Sequence, residues 1–488
     1  MRFLLSVSCL ALAVAVAPAV SATAFTFTPL PSPAGAQAAA PAFAQAPDGT
    51  VWLSWVEPAA AGQPHFRLRA ARFAPAESSW LPTRDIATAA SIVPSSTDVP
   101  QLAIAGDGRI HALWCDGRGA AFVAESRDRG ATWTAPERWG PDAAPVENVS
   151  LTRLADGRVL AAWLDGRKPA TGPAVQQLYA RILGDPASEE RVDARVCDCC
   201  PTTLVPLLDG GALLAYRGRS ADEVRDIRVA RFRGSSWDAP ADLSPDGWKI
   251  TACPVNGPRL ATDGSRVAAV WFTAADGEPR VLASYSPDAA GRWLMPLRLD
   301  RGRPAGRVDT VLLSDGTVLA SWVEADGSAW LRRINPEFAA NEPVELAPAG
   351  AARGVPRLLL LQDYAGGQGQ ARLLIVLATP EGLRVSRASI AEGELLASEA
   401  SCHCTPTPEQ LRGFALRGAA LSVDAATNRV DVRHAEVPGV FAGGTHTFTI
   451  APLDLAALQL RRPFLARIER RGGEWWLYDL RWLGEPAR

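Results

Sequence analysis

Long apolar segments, lysine and methionine are all scarce in this chain of 488 residues. Beyond residue 24 no apolar run is long enough to cross a bilayer, so we expect no membrane span in the mature chain. Neither sign of charge dominates, because 50 basic and 52 acidic residues are mixed along the sequence. This balance argues against a long basic face of the kind that binds nucleic acid or anionic lipid.

The one long apolar run follows Arg2, reads FLLSVSCLALAVAVA, and is followed by the small residues Ala22 to Ala24. This pattern is typical of a cleaved export signal, so we assign residues 1–24 to a signal peptide and expect a periplasmic or secreted protein. Of the 8 cysteines, Cys9 leaves with the signal. An odd number then remains, and full internal pairing is excluded.

Helical periodicity is nearly absent, and one unit recurs instead: an apolar strand, an Asp-Gly turn and a second strand that ends near a large aromatic residue. The six aromatic residues are Trp55, Trp114, Trp163, Tyr216, Trp271 and Trp322. Their intervals of 59, 49, 53, 55 and 51 residues suit one antiparallel sheet per repeat, the blade of a β-propeller. A degraded seventh unit falls at 355–379. The sequence therefore predicts an all-β protein with a six- or possibly seven-bladed propeller over residues 25–395, its aromatic residues in the core.

An Asp-box pattern, Ser-x-Asp-x-Gly-x-x-Trp, stands in the second unit, and a degenerate copy lies at 286–293. Its defining residues are Ser126, Asp128, Gly130 and Trp133. We interpret it as a structural hairpin, in which the carboxylate binds turn amides and the glycine takes a special backbone angle. With this motif the propeller resembles the sialidase-like Asp-box family, and that resemblance favours six blades.

The same resemblance implies an exo-sialidase-like glycoside hydrolase, but no Arg-Ile-Pro motif of that family is present. Arginines do follow matching strands in three successive units, at Arg118, Arg167 and Arg219. They could surround an acidic sugar, since guanidinium groups bind carboxylates in a bidentate way. The alternative is solvated turn arginines paired with neighbouring acids. Tyr216 is the only tyrosine near such a ring.

The segment RVCDCCPTT places Cys197, Cys199 and Cys200 just before one blade, and Cys253 precedes the next blade at the corresponding position. Thiolates crowded this closely suit a soft ion such as Cu(I). Disulfides are the natural alternative after export, although neighbouring side chains on an extended strand point apart.

Residues 396–412 have the composition of a linker and contain Cys402, His403 and Cys404. Two thiolates and an imidazole within three residues form a second candidate metal site. A further disulfide is again the alternative.

From residue 413 to 488 the pattern changes to short alternating strands, which predicts a small OB-like β-barrel. Here His434, the following AEVPG and the segment GGTHTFTI resemble the periplasmic copper-binding CusF-like domains. That family holds Cu(I) with a histidine and two methionines, which the resemblance places at His434 and at the triplet Gly444 to His446. Both methionines are missing, since Met295 is the only methionine left in the mature chain. His434 and His446 remain as a pair that could hold a metal, alone or with Cys402 and Cys404 from the linker. The alternative is a barrel that keeps the fold and has lost the ion.

These patterns favour an exported protein that binds or relays copper through the propeller cysteines and the barrel. We expect no enzymatic activity on this interpretation, and copper-handling or thiol-reducing proteins as partners. The first alternative is a sialidase-like glycoside hydrolase or an acidic-glycan-binding propeller that uses the arginine cluster. The second is a protein-binding propeller with structural disulfides.

Overall fold

The computed structural model describes the following parts of the chain: residues 25, 27–60, 65–75, 77–89, 91–141, 144–168, 175–336, 338–361, 370–391, 414–434, 437, 440–450, 458–461, 463–471 and 474–482. These residues are all-β, and their only helices are short 3-10 turns at Pro186–Ser188 and Ala275–Gly277. Neither turn is long or apolar enough to cross a membrane. The predicted signal peptide and the predicted linker lie outside the described residues.

The first strand, β1, joins a sheet whose other strands come much later in the chain. The three sheets that follow β1 in sequence are antiparallel meanders. β1 spans Phe27–Leu30. The first meander contains β2 (Ala39–Gln45), β3 (Val51–Pro58), β4 (Phe66–Ala74), β5 (Ser79–Trp80) and β6 (Arg84–Ala89). The second contains β7 (Gln101–Ile104), β8 (Ile110–Cys115), β9 (Ala121–Ser126) and β10 (Glu137–Trp139). The third contains β11 (Val146–Arg153), β12 (Val159–Asp165), β13 (Gln177–Ile182) and β14 (Glu190–Asp193).

Three further meanders of four strands follow. The fourth contains β15 (Thr203–Pro206), β16 (Ala212–Arg217), β17 (Ile227–Phe232) and β18 (Ala241–Ser244). The fifth contains β19 (Arg259–Thr262), β20 (Val267–Thr273), β21 (Arg280–Ser286) and β22 (Leu297–Arg298). The sixth contains β23 (Pro304–Leu312), β24 (Val318–Glu324), β25 (Ala329–Ile334) and β26 (Val344–Ala347).

The seventh sheet is built from both ends of this region. Its strands β27 (Arg357–Leu361), β28 (Gln370–Thr379) and β29 (Gly382–Ala391) are followed in space by β1. β1 pairs antiparallel with β29, with Phe27 opposite Ala388. The ladder hydrogen bonds between the two ends of the propeller region thereby close the ring, with β1 as the outer strand of this sheet.

The first strands of the six meanders and β27 of the seventh sheet contact one another in sequence order, and β27 contacts β2. This closed circuit of inner strands is the architecture of a β-propeller around a central channel. In the described residues the propeller sheets number seven, so the preference for six blades is not what the structure shows. The degraded unit at 355–379 supplies two strands of the seventh blade, and the N-terminal strand that completes it carries no repeat signature.

The Asp-Gly turns connect the first and second strands of the first six blades, as the repeat predicted. Their glycines all have positive φ, which glycine adopts without a steric penalty: Gly49, Gly108, Gly157, Gly210, Gly264 and Gly316. The repeated aromatic residues lie on the second strands and are at most 2% exposed: Trp55, Trp114, Trp163, Tyr216, Trp271 and Trp322. They pack between neighbouring sheets, which confirms the core role predicted for them.

The C-terminal strands form a separate closed barrel in the order β30, β31, β32, β34, β33. These strands are β30 (Phe414–Asp424), β31 (Arg429–His434), β32 (Gly444–Ile450), β33 (Pro463–Arg471) and β34 (Glu474–Trp482). β33 pairs with β30 to close the barrel, and β32 and β34 form its one parallel pair among the described strands. Alternating apolar residues such as Val430, Val432 and Phe448 fill the interior.

Candidate functional site

The Asp-box residues form a hydrogen-bonded turn and have no free catalytic group. The hydroxyl of Ser126 donates to Oδ1 of Asp128 at 2.9 Å and accepts from the backbone amide of Gly130 at 2.8 Å. Asp128 also accepts from the backbone amide and the hydroxyl of Thr132, and these bonds lower the pKa of Asp128 to about 2. Trp133 packs against the core beneath the turn. The degenerate copy repeats the pattern, since the Ser286 hydroxyl donates to Asp288 at 2.8 Å.

Arg118, Arg167 and Arg219 do not form the anion-binding ring that their spacing suggested. Arg118 is exposed at a turn. Arg167 forms ion pairs with Asp165 at 2.7 Å and Glu189 at 2.8 Å. These charges are already compensated, so the alternative of paired turn arginines describes Arg167.

Arg219 is compensated in the same way. Its guanidinium contacts Asp198 and Glu223, each at 2.8 Å. The two carboxylates occupy the face that an acidic ligand would need, which leaves no bidentate position for it.

Tyr216 is a core residue and is not available as a nucleophile. Its ring is fully buried, and its hydroxyl donates a 2.6 Å hydrogen bond to Asp193. Burial, followed by the charge of Asp193, raises the pKa of Tyr216 far above its ordinary value. The phenolate is therefore strongly disfavoured.

The cysteines that precede the fourth and fifth blades lie together, as their matching positions predicted, but they are divided into two classes. Cys199 and Cys253 form a disulfide with a Cα–Cα distance of 6.3 Å. Cys197 and Cys200 are free and buried, and their Sγ atoms are 2.9 Å apart. The disulfide removes two of the four thiolates that were proposed as propeller ligands, because a sulfur in a disulfide no longer supplies a thiolate.

The histidines of the barrel contact each other directly. Nε2 of His434 lies 2.8 Å from Nδ1 of His446, a hydrogen-bond distance, and His434 is 5% exposed. Two nitrogens bound to one tetrahedral metal at about 2.0 Å each would lie about 3.3 Å apart. The facing nitrogens are closer than that and are placed to hydrogen-bond to each other. Cys402, His403 and Cys404 lie outside the described residues.

A different set of arginines meets at the mouth of the propeller channel. Arg259, Arg307 and Arg357 come from the inner strands of the fifth, sixth and seventh blades and line one cleft with Thr97 and Asn256. The cleft has a volume of about 20 Å³, enough for one small polar group and too little for a sugar ring. We name it the channel-mouth cleft.

These three guanidiniums have few acidic partners. Nε of Arg259 is 3.6 Å from Oδ1 of Asp309. Nη1 of Arg307 donates to the backbone carbonyl of Val255 at 2.5 Å, a neutral acceptor. Nε of Arg357 donates to the carbonyl of Pro41 at 3.3 Å, while its buried Nη1 has no hydrogen-bond partner among the described residues.

Carboxyl groups close to the same mouth have raised pKa values. Asp98 follows Thr97, and burial raises the pKa of Asp98 to about 6 against the opposing effect of the Asn148 amide. Burial and the negative charge of Asp98 raise the pKa of Glu147. Burial also raises the pKa of Asp309, and the positive charge of Arg259 partly offsets this rise. Protonation of these groups makes the mouth more positive.

The sequence contained a signal for the channel-mouth cleft that our repeat analysis missed. The tripeptide Pro-Arg-Leu occurs at 258–260 and again at 356–358, in each case at the start of an inner strand. The aromatic repeat covers only the ends of the second strands and the turns after them. Those turns follow the second strand of each sheet and so lie further from the channel than the first strand. Residues at the start of the first, inner strands converge on the channel.

No family model matches the chain, and no curated protein matches it by sequence. The BP39L lectin from Burkholderia pseudomallei matches by structure with a TM-score of 0.50 and 12% identity, over 74% of this chain and 96% of the lectin. An alpha-L-arabinanase from Penicillium chrysogenum matches with a TM-score of 0.39 and 14% identity, over 62% of this chain and 96% of the arabinanase. The polysaccharide lyase Uly1 matches with a TM-score of 0.42 and 10% identity, over 71% and 89% of the two chains. At these identities the likeness establishes the β-propeller fold alone.

The prediction that this protein binds or relays copper is wrong. Its propeller site loses Cys199 and Cys253 to a disulfide. The similar solved structures are described as a lectin, an arabinanase and a polysaccharide lyase. The assignments to sialidase-like and CusF-like families remain resemblances of sequence motifs.

Proposed function

We propose that the propeller binds an acidic saccharide, with the carboxylate of the sugar seated in the channel-mouth cleft against Arg357, Arg259 and Arg307. The sugar ring lies outside the cleft, over the mouth of the channel. The BP39L propeller is described as that of a lectin, so carbohydrate is the ligand class to test first.

The observation that carries this proposal is the unpartnered Nη1 of Arg357. The residue is 4% exposed, and a buried guanidinium nitrogen without an acceptor is costly. A carboxylate oxygen of the ligand would supply that acceptor with a charge-assisted hydrogen bond. Ligand binding would thus remove the free-energy cost of the buried Nη1 that lacks an acceptor.

The surroundings of Arg357 favour an anion over a neutral group. The neighbouring Arg307 is half-buried and bonded to a neutral carbonyl, so its charge is only partly compensated. Asp309 is the acid paired with Arg259, and the other nearby acid, Asp98, is protonated more readily than usual because its pKa is about 6. The volume of the cleft fits one ionised group.

Hydrolysis of a glycoside is a second candidate, favoured by Asp98 and Glu147. Glycosidases commonly use a protonated carboxyl group and a second carboxyl group near the scissile bond. A pKa of about 6 suits Asp98 to donate a proton near neutral pH, and its charge acts on Glu147. Release of a fluorescent aglycone from aryl glucuronides by the wild type, abolished in Asp98→Asn, is the result expected of this activity.

The binding proposal is tested by calorimetry with free glucuronate, its methyl ester and glucose. We expect glucuronate to bind and the two neutral sugars to bind at least about tenfold more weakly, since a hydrogen bond to a charged group contributes about 1.5 kcal/mol or more. Arg357→Met keeps most of the side-chain volume and should abolish the preference for the anion. Arg118→Met, at an exposed turn, is the matched control and should bind as the wild type does. Equal binding of the ester, or unchanged binding by Arg357→Met, would refute the proposal.

Export to the periplasm or outside the cell stays part of the proposal, because the signal-like residues 1–24 lie outside the described part of the chain. Use of the propeller as a protein-binding platform is the remaining alternative. It predicts partner capture that Arg357→Met leaves unchanged.

A further inference from the structure

Four cysteines form a compact cluster between the fourth and fifth blades. Cys197 and Cys200 are free thiols whose Sγ atoms are 2.9 Å apart. The sulfur atoms of Cys197, Cys199 and Cys253 all lie within 4.8 Å of one another. Because Cys199 and Cys253 are joined, a dithiol lies directly against a disulfide. The free thiol of Cys197 therefore lies within 4.8 Å of both sulfurs of the disulfide.

The two free thiols have different electrostatic environments. Nη1 of Arg225 is 3.5 Å from the sulfur of Cys197, and Arg217 adds a second positive charge. The hydrogen bond from Cys200, followed by the backbone amide of Cys199 and then these arginines, lowers the pKa of Cys197 to about 6, while burial raises the pKa of Cys200. Cys197 is therefore the better nucleophile, whereas Cys200 stays protonated.

We propose that these four cysteines form a thiol–disulfide exchange site. The thiolate of Cys197 attacks Sγ of Cys199, a Cys197–Cys199 bond forms, the Cys199–Cys253 bond breaks, and Cys253 leaves as a thiolate. Cys253 takes up a proton from solvent, Cys200 loses its proton to solvent and attacks Cys197, and Cys199 leaves as a thiolate that takes up the second proton.

The exchange balances without an external oxidant or reductant. Cys197 and Cys200 lose two electrons and become a disulfide, whereas Cys199 and Cys253 gain two electrons and become thiols. Cys197 and Cys200 are buried, while Cys253 is exposed. The reaction thus moves reducing equivalents from the interior to the protein surface, where a dissolved disulfide or alkylating reagent can reach them.

The cluster also adjoins the channel-mouth cleft. Pro201, next to Cys200, and Val255, two residues after Cys253, both line that cleft. A Cβ on Gly257 would collide with the backbone of Pro201, so the two cysteine-bearing segments are tightly packed against each other. The two sites share these segments, but the exchange chemistry does not require the proposed saccharide.

The test is to map the disulfide bonds and the alkylated cysteines of the full chain. Protein purified without reductant is incubated at pH 7, quenched with acid, treated with N-ethylmaleimide and digested for mass spectrometry. In the wild type we expect two isomers, one bridged at Cys199–Cys253 and one at Cys197–Cys200. In Cys200→Ser the exchange should stop at a Cys197–Cys199 bridge with Cys253 alkylated. Cys197→Ser should retain only the Cys199–Cys253 bridge, and Cys115→Ser should behave as the wild type.

A time course of alkylation is the second measurement, and its wild-type arm keeps the proposal falsifiable if a variant does not fold. Without reductant, N-ethylmaleimide should enter Cys253 about tenfold faster in the wild type than in Cys197→Ser, because a disulfide sulfur does not react with the reagent. If the wild type shows only the Cys199–Cys253 bridge after hours at pH 7, and Cys253 is never alkylated, the exchange proposal is overturned.

Discussion

The indole Nε1 of Trp163 donates a 2.8 Å hydrogen bond to Oδ2 of Asp165, a carboxylate with no exposed surface. Two other blades repeat this link between a core aromatic residue and the acid two positions later: Trp55 with Glu57 at 2.7 Å, and Trp322 with Glu324 at 2.8 Å. Asp165 also forms an ion pair with Arg167, in which Oδ2 and Nη2 are 2.7 Å apart. The acid thus satisfies a buried indole and anchors the arginine of the following turn.

Asp165→Ala should strongly destabilise the propeller. The substitution leaves a buried indole N–H without its acceptor and removes one of the two acids paired with Arg167, which together costs about 3 kcal/mol. Urea unfolding monitored by tryptophan fluorescence measures the change. The matched control is Asp156→Ala, which removes a similar contact to Arg158 at 2.7 Å on the exposed side of a turn. The control should lose less than about 1 kcal/mol, and equal losses in the two variants would contradict the role assigned to Asp165.

Opening the Cys199–Cys253 disulfide should lower the thermal stability. The bridge spans a sequence separation of 54 residues, and closing a loop of that length is worth about 4 kcal/mol in the chain-entropy description. Dithiothreitol should therefore lower the Tm of the wild type and have little effect on Cys253→Ser. Cys115→Ser, which changes a cysteine outside the cluster, should respond to dithiothreitol as the wild type does. An identical Tm with and without reductant would argue against a structural contribution of the bridge.

The stability should depend on pH through Asp98. Its pKa rises from an ordinary value of 3.8 to about 6 in the folded protein because the carboxyl group is desolvated. Below pH 3.8 the group is protonated in both states and costs nothing. Between pH 3.8 and 6 the unfolded chain ionises first, so folding stability falls with rising pH, and the loss of about 3 kcal/mol is complete above pH 6.

Asp98→Asn should remove this penalty, so the variant should gain Tm relative to the wild type as the pH rises from 4 to 7.5. Differential scanning calorimetry at several pH values gives the comparison. Asp107→Asn supplies a control of opposite sign, because hydrogen bonds from Arg109 lower the pKa of Asp107. A Tm difference between Asp98→Asn and the wild type that does not change with pH would be inconsistent with a raised pKa.

Gly130→Ala should destabilise the propeller more than Gly184→Ala. Both glycines have positive φ, 79° and 81°, so alanine carries a similar backbone cost of about 1 kcal/mol at either position. The added methyl group at Gly130 would collide with the ring of Trp52, whereas nothing lies within 4 Å of the one at Gly184. The clash should add about 1–3 kcal/mol, which urea unfolding can resolve. Similar losses in both variants would show that Trp52 moves aside without cost.

Much of the fold was predictable because its determinants are local. An Asp-Gly turn and an aromatic residue on the next strand occur within a few residues of each other, and the buried Trp55 and Trp322 occupy the predicted core. The seventh blade was harder to count, because one of its strands comes from the start of the chain and pairs with β29. Such a long-range pairing leaves no periodic trace in sequence.

The candidate site was less predictable. Arg167 looked available, but Glu189, 22 residues away in sequence, folds back onto it. The proximity of Cys253 to the triple-cysteine segment was expected from matching blade positions. The choice between thiolate and disulfide depends on which sulfurs meet, and spacing alone did not give it.

The sequence by itself determined the all-β class, the repeat and the burial of its aromatic residues, since period-two strands and turn chemistry act over short distances. Only the tertiary structure decided the number of sheets, the pairing of Cys199 with Cys253, and the meeting of Arg259, Arg307 and Arg357 at one cleft. Ring closure brings together residues from distant blades. Their charges and bonds therefore depend on neighbours that no local pattern specifies.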